Sequence, residues 1–552
     1  MRRSSKRIRH AVAALLAIVL GAGCGEVEER RPGGSGGVDL GAGGRGSVGD
    51  GGSGGTAGAG GGAGSEEPGG SGGGGSGEEP GPSLGPVVWT TCTESGVRMK
   101  CAEIDVPLDW SERDGERISF FVRKIPAAGP NQNGQLWFFV GGPGYSASDA
   151  VEWGGYLAVF GYDVYLPDYR GVGSSTPLAC EGEAEGTTSV ACYAELLRRW
   201  GDGLRQFSTT STAMDIGKTI EAIREPGEKV FVLGGSYGSF LANRYMSLFP
   251  DQADAVSLEG ICPATGCAVH QALNANRAAH VALDACGGDA KCSEKLSSNP
   301  WSRLEGLRER LREGHCPEYA GEAAWSSFSK ILVATLADRS RLPVGLAAIY
   351  RLDRCDPEDV TALRRLEALY ASRSFGPASV SESEYLFLHI VLSEFWEEGL
   401  TPAALRAESE ALLLRLDSAD DITTARELWT WPLYETPAEL RSWAPVTTPV
   451  ALFNGAIDRL TPTWDLGGIE EAFPHPGQSF VEIPLAGHGA LFEGTDTKGR
   501  MPCGLSLVLD FFEDPLAPLD LRCVEKLRTF DFRGSRSLAR QTMGTDDLWE
   551  NP

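Results

Sequence analysis

The chain is predicted to be an α/β protein, with a mostly parallel sheet covered by helices on both faces and interrupted by a large helical insertion. Short apolar runs typical of buried strands alternate with helical patterns up to residue 261, and strand patterns return after residue 445. Between these two parts, residues 262–445 carry helical spacing without strand signals. The sequence therefore predicts a sheet domain formed by residues 85–261 and 446–552, the latter including a carboxyl-terminal tail.

The amino-terminal 24 residues have the pattern of an export signal. A cationic start precedes an apolar run from Ala11 to Leu20, which is too short to span a bilayer as a permanent helix. The segment ends at Cys24 in a pattern that resembles a bacterial lipoprotein signal, in which the cysteine is acylated. Gly21 occupies the place where leucine is usual, so ordinary secretion remains the alternative. We expect a protein of the cell envelope that contacts a membrane only through its lipid anchor, or a secreted one.

Residues 25–84 are dominated by Gly, Ser, Glu and Pro. Such a segment cannot bury enough apolar surface to fold and is predicted to be a flexible tether. A Gly-rich coil of this length has a root-mean-square span of roughly 40 Å. The tether would hold a globular head, beginning near Val87, away from a membrane surface.

The predicted elements of the sheet domain follow one another along the chain. Before the insertion, strands are expected at 136–140, 162–166, 229–233 and 256–260, with a helix at 210–223. After it, strands are expected at 449–453 and 479–484. Within the insertion, helical spacing relates Leu304, Leu307 and Leu311, then Val360, Leu363, Leu366 and Tyr370. Thr401 and Pro402 are expected to begin a further helix that carries Leu405, Leu412 and Leu416 on one face.

Charge and cysteine content limit the function. The net charge of −25 and the lack of a basic stripe argue against nucleic-acid binding. Apart from Cys24, the twelve cysteines form an even set, which in an exported chain predicts disulfides. Four short-range pairs are plausible, although the sequence does not fix the connectivity: Cys92–Cys101, Cys180–Cys192, Cys262–Cys267 and Cys286–Cys292. No cluster has the spacing of metal ligands, and no metal or other cofactor is expected.

A candidate nucleophile lies in Gly234-Gly235-Ser236-Tyr237-Gly238, between a predicted strand and a helix. A strand, a sharp Gly-x-Ser-x-Gly turn and a helix together predict a nucleophile elbow, which exposes Ser236 at the top of a sheet. A serine hydroxyl needs a base to take its proton and a carboxylate to orient that base.

The base and the acid are expected in two later loops. Among seven histidines, His488 follows a predicted strand and lies between two glycines. Asp458 follows another predicted strand, where open α/β sheets place their sites; a turn or N-cap role is its alternative. The order Ser236, Asp458, His488 is that of α/β-hydrolases.

An oxyanion hole is expected from two backbone N–H groups. One is that of Tyr237, after the nucleophile, and the other is that of Gly142 in the loop that follows the strand ending at Val140. The alternative for the glycine-rich loop is a simple turn.

Several segments resemble the prolyl and tripeptidyl aminopeptidase group of α/β-hydrolase serine peptidases. The resemblance covers roughly residues 87–525 and rests on the segments 89–110, 141–144, 168–174 and 234–238, the Asp458 and His488 loops, and Cys503 with Cys523. Val140 and Ser239 depart from the residues common in that group. The resemblance implies an exported serine exopeptidase that acts on short peptides.

An aminopeptidase must also bind the substrate ammonium, for which Glu259 and Glu394 are the candidates; an ordinary surface or cap role is the alternative for each. Asp168 and Arg170 are expected to form a buried structural ion pair. An esterase or other acyl hydrolase of the same fold, and a surface lipoprotein that binds without catalysis, remain alternative functions. The oligomeric state is left open.

Overall fold

The computed structural model describes residues 83–550, apart from 113, 130–132, 181, 183–187, 373–382 and 417. The predicted signal at 1–24, with Cys24, and nearly all of the predicted tether at 25–84 lie outside the described residues. No helix among the described residues is both long enough and apolar enough to cross a membrane.

The described part of the chain forms one nine-stranded sheet with the spatial order β1-β2-β3-β5-β4-β6-β7-β8-β9. The strands are β1 Thr90–Glu94, β2 Val97–Pro107, β3 Arg117–Ile125, β4 Gly134–Phe139, β5 Tyr162–Asp168, β6 Val230–Gly235, β7 Ala255–Glu259, β8 Val450–Gly455 and β9 Gln478–Ile483. Strands β4 to β9 are parallel to one another, whereas β1, β2 and β3 are antiparallel to their neighbours.

The parallel strands coincide with the apolar runs of the sequence, because a parallel sheet covered on both faces buries successive side chains. Strand β7 is buried at every residue, and so is β8. The mostly parallel α/β sheet is therefore confirmed. The three antiparallel strands were not predicted, although in β3 exposed or half-buried residues alternate with buried ones from Arg117 to Val122, as in a strand with one covered face.

Helices cover the sheet and fill the insertion between β7 and β8. Those before the insertion are α1 Val151–Ala158, α2 Val190–Trp200, α3 Thr209–Ile223 and α4 Tyr237–Leu248. Those of the insertion are α5 Gln271–Gly288, α6 Ala290–Leu296, α7 Pro300–Arg312, α8 Glu322–Leu336, α9 Leu342–Arg354, α10 Pro357–Ser372, α11 Glu384–Ile390, α12 Pro402–Ala411 and α13 Ser418–Leu428. Those after it are α14 Ile469–Ala472, α15 Cys503–Glu513, α16 Arg522–Leu527 and α17 Arg536–Thr542.

The insertion, residues 262–445, has a hydrophobic core of its own, which includes Leu304, Leu307 and Leu311 on one side of α7. Thr401 caps α12 by accepting a hydrogen bond from the backbone N–H of Ala404. The prediction that α12 continues through Leu412 and Leu416 is wrong, because the helix ends at Ala411 and only Leu405 of that apolar set lies within it.

Residues 528–550, here called the carboxyl-terminal segment, leave the sheet domain and pack against the insertion. Phe532, Met543 and Trp549 are buried in the core of the insertion. The buried guanidinium of Arg351 in α9 donates to the backbone carbonyls of Asp547, Leu548 and Glu550. The carboxyl-terminal segment therefore stabilises the insertion, both by completing its core and by hydrogen bonding to Arg351.

Six disulfides are present among the described residues. Four are the short-range pairs that the sequence indicates, Cys92–Cys101, Cys180–Cys192, Cys262–Cys267 and Cys286–Cys292. The other two join Cys316 to Cys355 within the insertion and Cys503 to Cys523 after the sheet.

The expected ion pair between Asp168 and Arg170 is wrong, because each residue is paired with another. Asp168 lies 2.9 Å from Nη1 of Arg123, and Arg170 lies 2.6 Å from Asp215 in a fully buried pair. Asp168 also accepts hydrogen bonds from Ser146, Ala147 and Ser174. Through these bonds Asp168 joins the loops that follow β4 and β5.

Candidate active site

Ser236 lies in the sharp turn between β6 and α4, with a φ of +56° and a ψ of −126°. A positive φ is uncommon for a residue other than glycine and holds the side chain out of the turn. The neighbouring glycines allow the turn to pack tightly. A Cβ atom on Gly238 would lie 2.0 Å from the carbonyl oxygen of Phe139 in β4, and one on Gly234 would lie 2.5 Å from the carbonyl oxygen of Gly238. The Gly-x-Ser-x-Gly spacing is thus a steric requirement of this turn.

Asp458 and His488 are in direct contact. Asp458 follows β8, is fully buried, and places Oδ2 at 2.9 Å from Nδ1 of His488. The backbone N–H groups of Leu460 and Thr461 donate to Asp458 Oδ1, and the Thr461 hydroxyl donates to Oδ2 at 2.7 Å. These donors hold the carboxylate in one orientation. Because the carboxylate contacts Nδ1 of His488, the other ring nitrogen, Nε2, is available to a substrate or nucleophile.

The sequence did not indicate Thr461 or Asn454, which form this acid loop together with Asp458. The side-chain amide of Asn454 donates to the carbonyl of Thr461 at 2.7 Å and accepts from the N–H of Ile261 at 2.7 Å. Asn454 lies near the end of β8 and Thr461 in the segment that follows the strand, and their polar character close to Asp458 is the signal that could have identified them.

Ser236 and His488 line the same cavity. The imidazole passes over Gly260, where a Cβ atom would lie 2.9 Å from Cε1 of His488. No hydrogen bond joins the Ser236 hydroxyl to His488 in the part of the chain that the structure describes. In unliganded enzymes such a bond is often long and tightens only when substrate is bound.

The expected oxyanion donors, Tyr237 and Gly142, belong to two backbone segments that border Ser236. Tyr237 is the first residue of α4, where the helix itself offers its N–H no acceptor. Gly141 and Gly142 both line the cavity, and Gly142 has a φ of +121°. Gly141 is the glycine that lies against the nucleophile, because a Cβ atom there would be 3.4 Å from the Ser236 hydroxyl. The sequence named only Gly142.

The cavity has a volume of about 650 Å³, within the range of roughly 300–1,000 Å³ usual for small-molecule sites. One wall is aromatic: the rings of Trp153 in α1 and Phe492 after the His488 loop lie 4.3 Å apart between centroids. Phe387 and Glu384 of α11 also line the cavity, so the insertion contributes directly to it. The cavity can therefore hold an apolar group beside Ser236.

The two candidates for an ammonium-binding carboxylate differ in position. Glu259 ends β7, lines the cavity with Ser236 and His488, and accepts a hydrogen bond from the N–H of Ala490 at 2.8 Å. Glu394 does not line this cavity; its carboxylate is buried against Arg244, with Nη2 of the arginine 3.0 Å away. The structure brings Glu259 to the site and places Glu394 outside it.

The charges around His488 favour its protonated form. Burial lowers the pKa of His488, but the negative charges of Asp458 and Glu259 outweigh it and raise the pKa to about 9. Burial by itself would raise the pKa of Asp458, whereas the charge of His488 and the Thr461 donors hold it below its usual range. For Glu259, burial raises the pKa above its usual range although His488 opposes the change.

Comparisons with known proteins agree with this fold. A family described as alpha/beta hydrolase fold matches residues 136–280, which include Gly142, Ser236 and Glu259. The chain is 28% identical over 215 residues to serine protease Hip1 of Mycobacterium tuberculosis, covering 32% of this chain and 40% of the relative. It is 28% identical over 193 residues to tripeptidyl aminopeptidase of Streptomyces coelicolor, covering 30% and 35%. It is 33% identical over 168 residues to proline iminopeptidase of Aeromonas sobria, covering 28% and 35%.

The matched regions span less than half the length of each of these relatives. They confirm the α/β-hydrolase fold and the resemblance to peptidases of that fold. The family match ends before Asp458 and His488, which are contributed after the insertion.

Because Glu259 contributes to the raised pKa of His488, Glu259→Gln should lower that pKa below about 9, and Asp458→Asn should lower it further. The imidazole can be titrated by NMR in the purified protein. Glu482→Gln, an exposed acid in β9, serves as the matched control and should leave the pKa unchanged. An unchanged pKa of His488 in the Glu259→Gln variant would show that the charge of Glu259 does not stabilise the imidazolium.

Proposed function

We propose that this protein is a serine exopeptidase that releases short units from the amino terminus of peptides. The observation that carries the proposal is the contact between buried Asp458 and His488, whose imidazole lines the same cavity as Ser236. An oriented imidazole beside a serine on an elbow is the arrangement that activates a hydroxyl for attack on a carbonyl. The peptidase names of the relatives support the choice of peptides as substrates.

The reaction proceeds through an acyl-enzyme. Ser236 Oγ attacks the scissile carbonyl carbon while its proton passes to Nε2 of His488, which reacts in its neutral form, and Asp458 stabilises the resulting imidazolium. The N–H groups of Tyr237 and of the Gly141–Gly142 loop bind the oxyanion. Collapse of the tetrahedral intermediate breaks the C–N bond, and the leaving amine takes the proton from His488. Water then attacks the ester with His488 as base, which releases the carboxylate product and restores the Ser236 hydroxyl.

Glu259 supplies the proposed anchor for the substrate ammonium. It lines the same cavity as Ser236, and a Cβ atom on Gly235 would lie 3.6 Å from its Oε2, so the carboxylate is next to the elbow. An ammonium bound there lies close to the scissile bond, which restricts cleavage to amino-terminal units. The aromatic wall of Trp153 and Phe492 then contacts the apolar part of the released unit.

Replacing the nucleophile should abolish turnover. We expect Ser236→Ala to lower kcat by on the order of 10⁶-fold, because a triad acts as a unit. A phosphonate probe should label the parent protein at Ser236 and fail to label the variant. Ser247→Ala is the matched control and should keep full activity, because Ser247 lies on the same helix and its hydroxyl donates to the Asn243 carbonyl of that helix. Retention of activity within tenfold by Ser236→Ala would rule out the mechanism.

A substrate with a free amino terminus should be preferred over the same substrate with a blocked one. We expect aminoacyl or tripeptidyl anilides to be turned over faster than their N-acetyl forms and than short acyl esters. Glu259→Gln should reduce this preference by about tenfold or more, since hydrogen bonds to charged groups contribute about 1.5–3 kcal/mol. The measurement is kcat/KM for each pair of substrates. Faster turnover of acyl esters, without discrimination of the amine, would instead identify an esterase.

We also propose that the protein is exported and anchored through an acylated Cys24, on the strength of the amino-terminal sequence alone. The Gly-rich residues 25–84 would then separate the enzyme from the membrane. Labelled fatty acid should enter the parent protein in a bacterial host that acylates lipoproteins and should not enter a Cys24→Ser variant. Export of the parent without any label would point to ordinary secretion.

A further inference from the structure

Glu394 belongs to the insertion, yet its carboxylate is enclosed by groups of the sheet domain and of a second part of the insertion. The side chain is 1% exposed, and that of its partner Arg244 is 2% exposed. Oε1 accepts from the backbone N–H of Thr209 at 3.1 Å and from the Tyr434 hydroxyl at 2.6 Å. Oε2 accepts from Arg244 at 3.0 Å and from the Thr436 hydroxyl at 3.3 Å.

These four bonds use the accepting capacity of the carboxylate, which has about four lone-pair positions. A substrate ammonium would have to displace one of the four donors and reach a side chain that is closed to solvent. Burial by itself would raise the pKa of Glu394, but Arg244 and the other donors hold it below its usual range. Glu394 is therefore an ionised, fully occupied group with no role as a binding surface.

The local backbone is irregular where Glu394 is presented. Helix α11 ends at Ile390, and residues Val391–Phe395 form a single π-helical turn. Such turns are rare and often occur at functional positions, because the wider backbone redirects a side chain. Here the redirected side chain reaches Arg244 in α4, the helix that begins directly after Ser236.

Thr209 connects this carboxylate to the nucleophile elbow. Its backbone N–H is bonded to Glu394, and its hydroxyl lies 3.0 Å from the hydroxyl of Tyr237. Tyr237 is 1% exposed and is packed edge-on against Tyr169, with 5.9 Å between ring centroids. The position of the Tyr237 side chain is thus fixed at its far end by Thr209, and its backbone N–H is the proposed oxyanion donor.

We propose that Glu394 is a positioning residue through which the docked insertion fixes the oxyanion donor at Tyr237. The carboxylate holds Thr209 and Arg244, Thr209 holds the Tyr237 hydroxyl, and the buried ring holds the backbone at the first turn of α4. Correct placement of the insertion is then a condition for an effective oxyanion hole. This inference rests on the proposed hydrolase mechanism and assigns Glu394 a different function from ammonium binding.

Three variants follow the chain of contacts outward from the donor: Tyr237→Phe, Thr209→Val and Glu394→Gln. Each keeps the backbone N–H of Tyr237. Tyr237→Phe and Thr209→Val remove the contact between the two hydroxyls, and Glu394→Gln removes the charge that accepts from Thr209 and Arg244. We expect each to lower kcat by about 10- to 100-fold, below the roughly 10²–10³ lost when an oxyanion donor is deleted outright. KM should stay within about threefold of the parent, because substrate binding in the ground state is untouched.

The substrates are a peptide anilide with a free amino terminus and its N-acetyl form. A positioning function lowers kcat for both by the same factor, whereas loss of an ammonium anchor would affect only the free amine. Tyr245→Phe is the matched control: the residue is buried in the same helix, but its hydroxyl donates to Gln252, and kcat should be unchanged.

Removing one partner of a buried ion pair is strongly destabilising, so Glu394→Gln is compared with the other two variants, which keep the pair intact. Thermal unfolding of each variant identifies any loss caused by unfolding. A kcat within twofold of the parent for Tyr237→Phe and Thr209→Val would overturn the inference, as would a Glu394→Gln defect confined to the free amine. Failure of the hydrolase mechanism itself would appear differently, as an unlabelled parent protein or an active Ser236→Ala variant.

Discussion

The carboxylate of Asp458 has no contact with solvent, and its negative charge is stabilised only by the donors around it. Three of these donors come from its own loop, and the fourth is the imidazole of His488. A buried charge with fewer donors would take up a proton instead of remaining ionised. The loop around Asp458, the Asn454 amide bonded to Thr461 and the glycine at position 260 are therefore parts of one arrangement, which fixes the imidazole of His488 in the cavity that Ser236 also lines.

The parallel sheet makes this arrangement possible because it gathers the ends of distant segments. Ser236 follows β6, Glu259 ends β7, and Asp458 follows β8. These three strands are adjacent, so the residues at their ends lie close together although the insertion, residues 262–445, separates β7 from β8 in the sequence. The insertion in turn returns to the site, since α11 lines the cavity and the π-helical turn after it reaches the elbow helix.

The sequence predicted the parts of the site whose residue type is dictated by local geometry. The glycines around Ser236 are required by the backbone contacts of the elbow, so their spacing was visible without a structure. Asp458 and His488 could be recognised because each follows an apolar strand in a loop. Glu259 and Glu394 could not be distinguished in this way, because both are acids near predicted elements, and only tertiary packing shows that one faces the cavity and the other faces Arg244.

Errors in the fold prediction have the same origin. Asp168 and Arg170 are neighbours in sequence with opposite charges, but Arg123 and Asp215 compete for them from other elements and form the actual pairs. The leucine pattern after Thr401 suggested a longer helix. The helix ends at Ala411, and Leu414, in the irregular segment that follows, is buried in the core of the insertion. Local pattern cannot reveal such partners, since tertiary contacts override propensity.

The carboxyl-terminal segment has a consequence for how the molecule is assembled. Phe532, Met543 and Trp549 complete a core that is otherwise built mainly from helices of the insertion, the first of which begins at Gln271. Arg351 finds three of its acceptors in residues 547–550. Until residues 528–550 have been synthesised, the insertion lacks these contacts. The insertion can therefore reach its final packing only after residues 528–550 have been made. The same holds for the wall of the cavity that α11 of the insertion contributes.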